Sequence, residues 1–242
     1  MQDLKLRFKA ENWLLLISLL FHNMAYAEPI NVNTGFTPPV SDLLRQIMLL
    51  TFRQAGLEIN FTPHPAERSI ALVALGIDDA ECCRIPAAIQ QDYPDLIQVP
   101  EVIYLAKFSA FAKKPLPRIN SFEDLKPYTV ASVAGWKILV NNISRVEPSV
   151  FHILDDTESM FKVLQLDRID IATLDYLGGL EVISRLGLDD IEPIHPPLAT
   201  AALYLYLNKH QAELLPRLTT AIRELKKQGK IEQIISRFES RE

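Results

Sequence analysis

Arg84 and Asp175 are the two residues of this chain whose types and positions best suit ligand binding. Each ends a segment in which the last turn of a helix is followed by a short strand, and these segments, residues 72–84 and 163–175, align without a gap. The matched positions are Leu75 with Leu166 and Asp79 with Asp170. Because ligands of open α/β sheets bind at the carboxyl ends of the strands, a shared cleft would present a cation and an anion together. That combination suits a zwitterion such as an amino acid, although two unrelated βαβ units would give the same pattern by chance.

The two repeated segments belong to two alternating sets of predicted strands and helices. The first set runs β-α-β-α-β through residues 30–85, and the second alternates in the same way through residues 129–186. Such alternation is typical of largely parallel sheets with helices on their faces. Two long apolar runs, Val102–Phe111 and Leu198–Leu207, each lie beside one of these sets. They predict two strands on which the chain crosses from one lobe to the other.

We therefore predict an α/β fold of two lobes, with two mixed, mostly parallel sheets joined by two crossing strands. Residues 28–105 together with 199–242 would form lobe 1, and residues 106–198 would form lobe 2. Two crossings make a hinge, and a hinge between lobes suits closure around a ligand.

Residues 1–27 have the pattern of a secretory signal. A basic start precedes the apolar run Trp13–Phe21, which only Ser18 interrupts, and Ala27 ends a small-x-small cleavage site. The run is shorter than the roughly 20 residues that span a bilayer. The pattern predicts cleavage after Ala27 and export of the remaining chain, and an uncleaved amphipathic anchor is the alternative.

Composition bounds the class of protein. With 48% hydrophobic residues the chain is globular rather than disordered. Its formal net charge is −5, and it contains no block of basic residues, which excludes nucleic acid as an expected partner.

The two cysteines are neighbours, Cys82 and Cys83. Adjacent Cα atoms lie about 3.8 Å apart across a trans peptide, below the usual disulfide range of roughly 4.4–6.8 Å. On a strand their side chains would also point to opposite faces. We therefore expect two small buried thiols, and a vicinal disulfide acting as a redox switch is the alternative.

Further segments extend the pattern over nearly all of the chain after residue 27. They are the helix-Gly-x-x-Asp unit at Leu72–Asp79, the strand-to-helix turn Val130–Gly135, the segment Leu166–Asp175 and the closing helix that begins at Gly229. Together with the export signal, the strand ending at Arg84 and the paired crossing runs, they make the chain resemble the bacterial extracellular solute-binding proteins of family 3. These are the polar-amino-acid type of periplasmic binding protein.

The resemblance implies roles for five residues. Arg84 matches an arginine that clamps the ligand carboxylate, for which its planar fork is suited. Asp175 matches an acidic residue that binds the ligand ammonium. The helix that begins after Gly135 would offer backbone N–H groups to the carboxylate. Phe36 and Trp136 match aromatic residues that cover the ligand.

Each of these roles has a structural alternative. Arg84 would pair with a surface carboxylate such as Glu81 or Asp92, Asp175 would only cap the helix after it, and Trp136 would only pack in the core.

Three more residues are candidates by position. Glu67 and Arg68 begin the second helix on the side that faces the expected cleft, although the helix dipole explains a first-turn glutamate equally well. Tyr104 lies on the first crossing run, where hinge packing is the alternative.

The chain departs from the family pattern in two places. The first loop is compressed to Gly35–Ser41, and the residues from Cys82 to Pro86 lack the family's threonine-rich neighbours. The ligand therefore need not be an ordinary amino acid.

Nothing in the sequence indicates an enzyme. It contains no Gly-x-Ser-x-Gly elbow and no glycine-rich phosphate loop, and its five histidines have no zinc-ligand spacing. We expect no cofactor and no metal.

The resemblance implies a monomeric periplasmic protein that closes on a small polar, carboxylate-bearing ligand for delivery to an inner-membrane ABC permease. A ligand-sensing module for a membrane receptor and a small periplasmic lyase or dehydratase are the alternatives.

Overall fold

The computed structural model describes residues 28–89, 92–115 and 117–239. The predicted export signal, residues 1–27, and its cleavage site after Ala27 lie outside the described residues. Within the described ranges, no helix combines the length and the apolar character needed to cross a bilayer.

The described strands form one nine-stranded sheet with the order β2-β1-β3-β9-β4-β7-β5-β6, and β8 pairs with β4 off this path. Their bounds are β1 Ile30–Thr34, β2 Ile59–Pro63, β3 Ala80–Arg84, β4 Ile97–Lys113, β5 Thr129–Val133, β6 Val150–Leu154, β7 Ile171–Asp175, β8 Ile191–Pro193 and β9 Ala199–Leu207. The strands β1, β2 and β3 are parallel to one another, and so are β5, β6 and β7. The predicted two-lobed α/β fold is confirmed, and its two parallel groups share one continuous sheet.

The antiparallel pair of β4 and β9 joins the two groups. Its register runs from Ile97 opposite Leu207 to Phe108 opposite Ala199, with irregularities on either side of Val102. At one end β9 pairs with β3, and at the other β4 pairs with β7. The long apolar runs of the sequence therefore form the two crossing strands, as predicted.

Helices cover the sheet. Their bounds are α1 Val40–Gln54, α2 Ala66–Ala74, α3 Lys137–Val146, α4 Thr157–Gln165, α5 Tyr176–Leu186, α6 Leu215–Lys227 and α7 Lys230–Glu239, and short 3₁₀ turns lie at Pro86–Ala88, Phe122–Leu125 and Lys209–Leu214. Each long helix buries one apolar face, as the 3.6-residue period requires. In α1 that face carries Leu43, Leu44, Ile47, Met48 and Phe52, and it packs against α6 and α7.

The internal repeat has a structural counterpart. Asp79 accepts a hydrogen bond from the backbone N–H of Asn31 at 2.8 Å, and Asp170 accepts one from the N–H of Thr129 at 2.7 Å. Each aspartate thus ties the start of β3 or β7 to the start of the neighbouring parallel strand. Because the two βαβ units are built alike, Arg84 and Asp175 end equivalent strands.

Candidate functional site

Arg84 and Asp175 line one cavity between the lobes. Arg84 is the last residue of β3 and Asp175 the last residue of β7, and the cavity that both border has a volume of about 870 Å³. Phe36, Gly135 and Trp136 form other parts of its wall. We call this space the main cleft. The opposite charges at the ends of the repeated segments therefore face the same space.

A smaller space, the apolar chamber, adjoins the main cleft. It has a volume of about 100 Å³, and it shares Phe36, Arg84, Gly135 and Trp136 with the main cleft. These four residues lie at the junction of the two spaces.

Arg84 is held by contacts with its own strand and with the start of α2. Its Nε donates to Glu81 Oε1 at 2.6 Å, and its Nη2 donates to the carbonyl of Ala66 at 2.5 Å. A Cβ at Gly35 would lie 2.5 Å from Nη2 and 2.8 Å from the Cα of Ala66, so only glycine allows this approach. Within the described residues Nη1 makes no hydrogen bond, which leaves that end of the guanidinium for a ligand.

Glu81 is the buried partner of Arg84. The prediction that Glu81 is a surface carboxylate is wrong, because β3 is an interior strand between β1 and β9 and Glu81 has no exposed area. It also accepts a hydrogen bond from Ser69 Oγ at 2.5 Å. Burial raises the pKa of the Glu81 carboxyl, and the charge of Arg84 opposes that rise. The ion pair between Arg84 and Glu81, predicted as the structural alternative to ligand binding, is therefore present. Arg84 still lines the cleft.

Asp175 both caps a helix and lines the main cleft. It is the N-cap of α5, where its Oδ1 accepts from the Gly178 N–H at 2.8 Å, and it also lines the main cleft. The residue is only 6% exposed. Burial raises the pKa of its carboxyl to about 6, and the hydrogen bond from Gly178 opposes the rise. Since a carboxylate has two acceptor oxygens, capping the helix leaves capacity for a ligand.

The turn from β5 into α3 uses its own amides. Gly135 has φ = +90°, a conformation that glycine adopts without steric cost. The N–H of Lys137 donates to the Gly135 carbonyl at 2.9 Å, and the N–H of Trp136 donates to the Val133 carbonyl at 3.4 Å. The two amides directly after Gly135 are thus satisfied inside the turn, and the anion-binding capacity of the site falls mainly on Arg84.

Aromatic rings connect the lobes above the apolar chamber. The ring of Trp136 packs edge-on against Phe36, with centroids 5.8 Å apart, and against Phe108, at 5.9 Å. Trp136 follows β5, whereas Phe36 lies in the loop after β1. The predicted pair of covering aromatics is therefore in mutual contact at the junction of the two spaces.

Lys137 forms a second connection across the cleft. Its Nζ lies 3.4 Å from Glu67 Oε1 and 4.0 Å from Asp92 Oδ2. More than half of the Lys137 and Glu67 side chains is exposed, and exposed pairs stabilise by only about 0–1 kcal/mol. Glu67 borders the apolar chamber, whereas Arg68 is exposed and borders neither space.

Tyr104 lies in the crossing strand rather than in the cleft wall. It is 4% exposed and lies opposite Leu203 on β9. Burial raises the pKa of its hydroxyl, and the charges of Glu239 and Asp175 add to the rise. Tyr104 borders neither space, and its position fits the hinge-packing alternative.

The far wall of the main cleft is acidic. Asp155 and Glu181 both border it, and within the described residues neither has a cationic partner. Arg185 also borders the cleft, but its Nη1 lies 2.8 Å from Glu158. Since Arg84 and Arg185 are each paired with a glutamate, the unpaired charge facing the cleft is negative.

The adjacent cysteines are bonded to each other, and the expectation of two thiols is wrong. The peptide between Cys82 and Cys83 is cis, and the two Cα atoms lie 2.9 Å apart, closer than the trans spacing on which that expectation depended. Both residues are buried, and Cys83 borders the apolar chamber.

Other features of the described residues do not compete with this site. Nowhere in residues 28–89, 92–115 and 117–239 do three His, Cys, Asp or Glu side chains come together as a metal site would require. A separate cavity of about 1060 Å³ borders α5 from another side, and Arg118, Glu192 and His195 line it. It shares Glu181 with the main cleft, but neither Arg84 nor Asp175 lines it.

Sequence reasoning missed several features around the site. It named Glu81 only as a surface partner of Arg84, although a charged residue inside the short strand that Arg84 ends was a signal of a buried pair. Lys137 and Phe108 carried none, because each meets the other lobe or Trp136 only through the tertiary fold.

No family model and no curated protein matches this chain. Solved structures match it closely in fold. A substrate-binding protein of an amino acid ABC transporter aligns with a TM-score of 0.66 at 17% identity, covering 86% of this chain and 98% of that one. An ancestral arginine-binding protein bound to arginine aligns with a TM-score of 0.69 at 17% identity, over 88% and 98% of the two chains.

A third match comes from a different class of protein. A histidine kinase sensor domain with similarity to periplasmic binding proteins aligns with a TM-score of 0.72 at 16% identity, covering 87% of this chain and 96% of the domain. At these identities the matches establish the fold. The chain has the two-lobed architecture of the periplasmic binding proteins, as the sequence resemblance implied.

Proposed function

We propose that this chain is a periplasmic solute-binding protein that closes its two lobes on a small amino-acid-like ligand. The observation that carries the proposal is the shared cleft, in which equivalent strands of two similar βαβ units end in Arg84 and Asp175. The solved structures support it, since two of them are described as an arginine-binding protein and an amino acid ABC transporter substrate-binding protein.

In this proposal Arg84 binds the ligand carboxylate and Asp175 binds the ammonium. The contacts of Arg84 with Glu81 and Ala66 fix the guanidinium before the ligand arrives, which lowers the conformational entropy lost on binding. Asp175 is fixed in the same sense by its bond to Gly178. Phe36 and Trp136 cover the bound molecule, and Lys137 with Glu67 joins the lobes at the rim.

Closure in this proposal occurs about the crossing strands. We assign residues 28–105 with 199–242 to lobe 1 and residues 106–198 to lobe 2, so that both crossings lie on β4 and β9. The order of the sheet supports this division, since β4 and β9 are the strands that connect the two parallel groups. Hinge motion of this kind is the usual response of two-lobed binding proteins to a ligand.

The partner of the closed form is an inner-membrane ABC permease, to which a monomer would deliver its ligand. The sequence pattern of residues 1–27 supports export to the periplasm. A sensory role, in which the closed form is presented to a membrane receptor, is the second candidate. The match to a histidine kinase sensor domain at 16% identity is the observation that supports it.

We also propose that the chain binds without catalysis. The matched solved structures described above are binding proteins or a sensor domain. Incubation with cyclic hydroxy acids, followed by mass analysis for loss of water, tests the lyase or dehydratase alternative.

The proposal is tested by measuring ligand affinity. The purified protein is unfolded, dialysed and refolded to remove carried ligand, and amino acids, polyamines and dicarboxylates are titrated by calorimetry after a thermal-shift screen. A ligand present at 100 times its Kd adds about 2.7 kcal/mol to stability, a shift that the screen resolves.

The variant that tests the site is Arg84→Met combined with Glu81→Gln, which removes the cation without leaving a buried, unpaired carboxylate. Affinity for a carboxylate ligand should fall by roughly 100-fold, the value of two charge-assisted hydrogen bonds at about 1.5 kcal/mol each. The control is Arg45→Met, since Arg45 is an exposed residue of α1 outside both spaces. Unchanged affinity in the double variant would refute the role of Arg84.

A further inference from the structure

The apolar chamber adjoins the charged groups of the main cleft at Arg84. Its wall contains the side chains Ile70, Cys83, Ile89, Phe108, Ile138 and Leu203. Its polar lining residues are Tyr93, Arg84, which is paired with Glu81, and Lys137, which lies 3.4 Å from a fourth, Glu67. The lining is otherwise apolar, and the chamber meets the main cleft at Arg84.

In the described part of the chain, no buried polar atom left without a hydrogen-bond partner calls for a polar group in the chamber. Among the described residues, the buried side-chain atoms without a hydrogen-bond partner are Thr51 Oγ1, Ser132 Oγ and Gln165 Oε1, and none of these residues borders the chamber. An ammonium, guanidinium or amide placed against the six apolar side chains named above would lose its hydration without gaining a partner from them. An apolar group gains by the same move, because it leaves water for a space lined mostly by carbon and sulfur.

The volume limits the size of that group. An apolar protein cavity of about 150 Å³ holds a benzene molecule and otherwise stays dry. The chamber, at about 100 Å³, is smaller and suits a branched aliphatic group of about three or four carbons. A linear side chain ending in a charge would have to lie in the main cleft instead, toward Asp155 and Glu181.

We infer that the ligand is an amino acid, or a closely related zwitterion, with a branched aliphatic side chain that fills the apolar chamber while its carboxylate lies on Arg84. This inference rests on the proposed function and adds the class of the ligand to it. It separates this chain from the matched protein bound to arginine, whose ligand carries a charged side chain.

The test is a comparison of leucine, isoleucine and valine with alanine, arginine and glutamine, titrated into refolded wild-type protein. Burial of each additional methylene strengthens binding by roughly fourfold, from about 0.8 kcal/mol per group. Leucine, with three more carbons than alanine, should therefore bind roughly 50-fold more tightly than alanine, and more tightly than arginine or glutamine.

A filled chamber provides the second arm. Ile138 borders the chamber and is only partly buried, so Ile138→Phe should occupy the space at little cost to folding. The variant should lose most of the preference for leucine over alanine. The control is Ile153→Phe, because Ile153 is 52% exposed on β6 and borders neither space.

The outcomes separate the two proposals. Binding of arginine or glutamine in preference to leucine, abolished by the Arg84→Met and Glu81→Gln double variant, would overturn the aliphatic inference and keep the proposed function. An unchanged preference for leucine in Ile138→Phe would also overturn the inference, since the side chain would then lie elsewhere. Absence of binding by every amino acid and carboxylate would overturn both.

Discussion

Removing Arg84 should test whether its ion pair with Glu81 holds the site together. Arg84→Met leaves the Glu81 carboxylate with no exposed area and with Ser69 as its remaining hydrogen-bond donor. Removal of one partner from a buried ion pair typically costs about 3–5 kcal/mol. Glu81→Gln in the same chain removes the unpaired charge and keeps an acceptor for Ser69. We expect the double variant to recover all but about 1 kcal/mol of the loss.

The single variant should also acquire a dependence on pH. The charge of Arg84 opposes the rise in the pKa of Glu81 that burial causes, so its removal raises the folded-state pKa further above the unfolded value. A carboxyl with a raised folded-state pKa binds its proton more tightly in the folded protein. Its contribution to stability is therefore complete below the unfolded pKa and is lost as pH rises through the folded pKa. Between those limits stability falls by about 1.4 kcal/mol per pH unit.

The assay is urea unfolding near pH 5 and near pH 8. The matched control is Arg185→Met, because Arg185 pairs with Glu158 by the same chemistry but both side chains are more than one-third exposed. Exposed pairs contribute about 0–1 kcal/mol, so the control should lose little at either pH. A loss in Arg84→Met no larger than in the control, or equal at both pH values, would refute the reasoning.

Three further substitutions probe the remaining parts of the site. Asp175→Asn retains the helix cap, since asparagine caps as well as aspartate, but should weaken binding of an ammonium-bearing ligand by at least roughly tenfold. Wild-type affinity should itself fall as pH drops below about 6, where Asp175 takes up a proton, and calorimetry at two pH values measures both effects. The control is Asp124→Asn, in a capping box outside the cleft, which should leave affinity unchanged. Gly35→Ala should lower the free energy of unfolding by about 1–3 kcal/mol and weaken ligand binding, because the new Cβ would lie 2.8 Å from the Cα of Ala66 and would displace Arg84. Equal urea midpoints for variant and wild type would contradict this. Gly179→Ala should destabilise the protein despite the roughly 1 kcal/mol that alanine gains over glycine in a helix, because the new Cβ would overlap the Phe111 ring, and a higher melting temperature would contradict that packing.

The fold could be predicted because its signals are local and repeated. Alternation of short strands with amphipathic helices predicts the two parallel groups, and the two long apolar runs predict the strands that cross between them. Asp79 and Asp170 show why the repeat was informative. Neither adds apolar surface to the core, yet each accepts the same hydrogen bond from a backbone N–H of the neighbouring strand. Positions at strand ends then followed, because parallel strands direct their carboxyl ends to one edge.

The composition of the cleft could not be predicted in the same way. Glu81 and Arg84 are three residues apart in sequence, but whether the carboxylate is buried depends on β9, which contributes a strand more than 100 positions later. The contact of Trp136 with Phe36 and the approach of Lys137 to Glu67 depend on how the lobes meet. No pattern within one lobe contains that information.

The charges of the cleft favour a zwitterion over a simple anion. Because Glu81 neutralises Arg84 within the protein, binding a carboxylate there leaves the site with an excess of negative charge, to which Asp155, Asp175 and Glu181 contribute. A ligand that carries an ammonium group compensates this excess, whereas a dicarboxylate increases it. Succinate should therefore bind at least roughly tenfold more weakly than a neutral amino acid of similar size, about 1.4 kcal/mol. In calorimetry the gap should narrow near pH 5, because protonation of Asp175, whose pKa burial raises to about 6, removes one of the opposing charges. A dicarboxylate that binds as tightly as the amino acid at pH 8 would show that Arg84 acts as an unpaired cation.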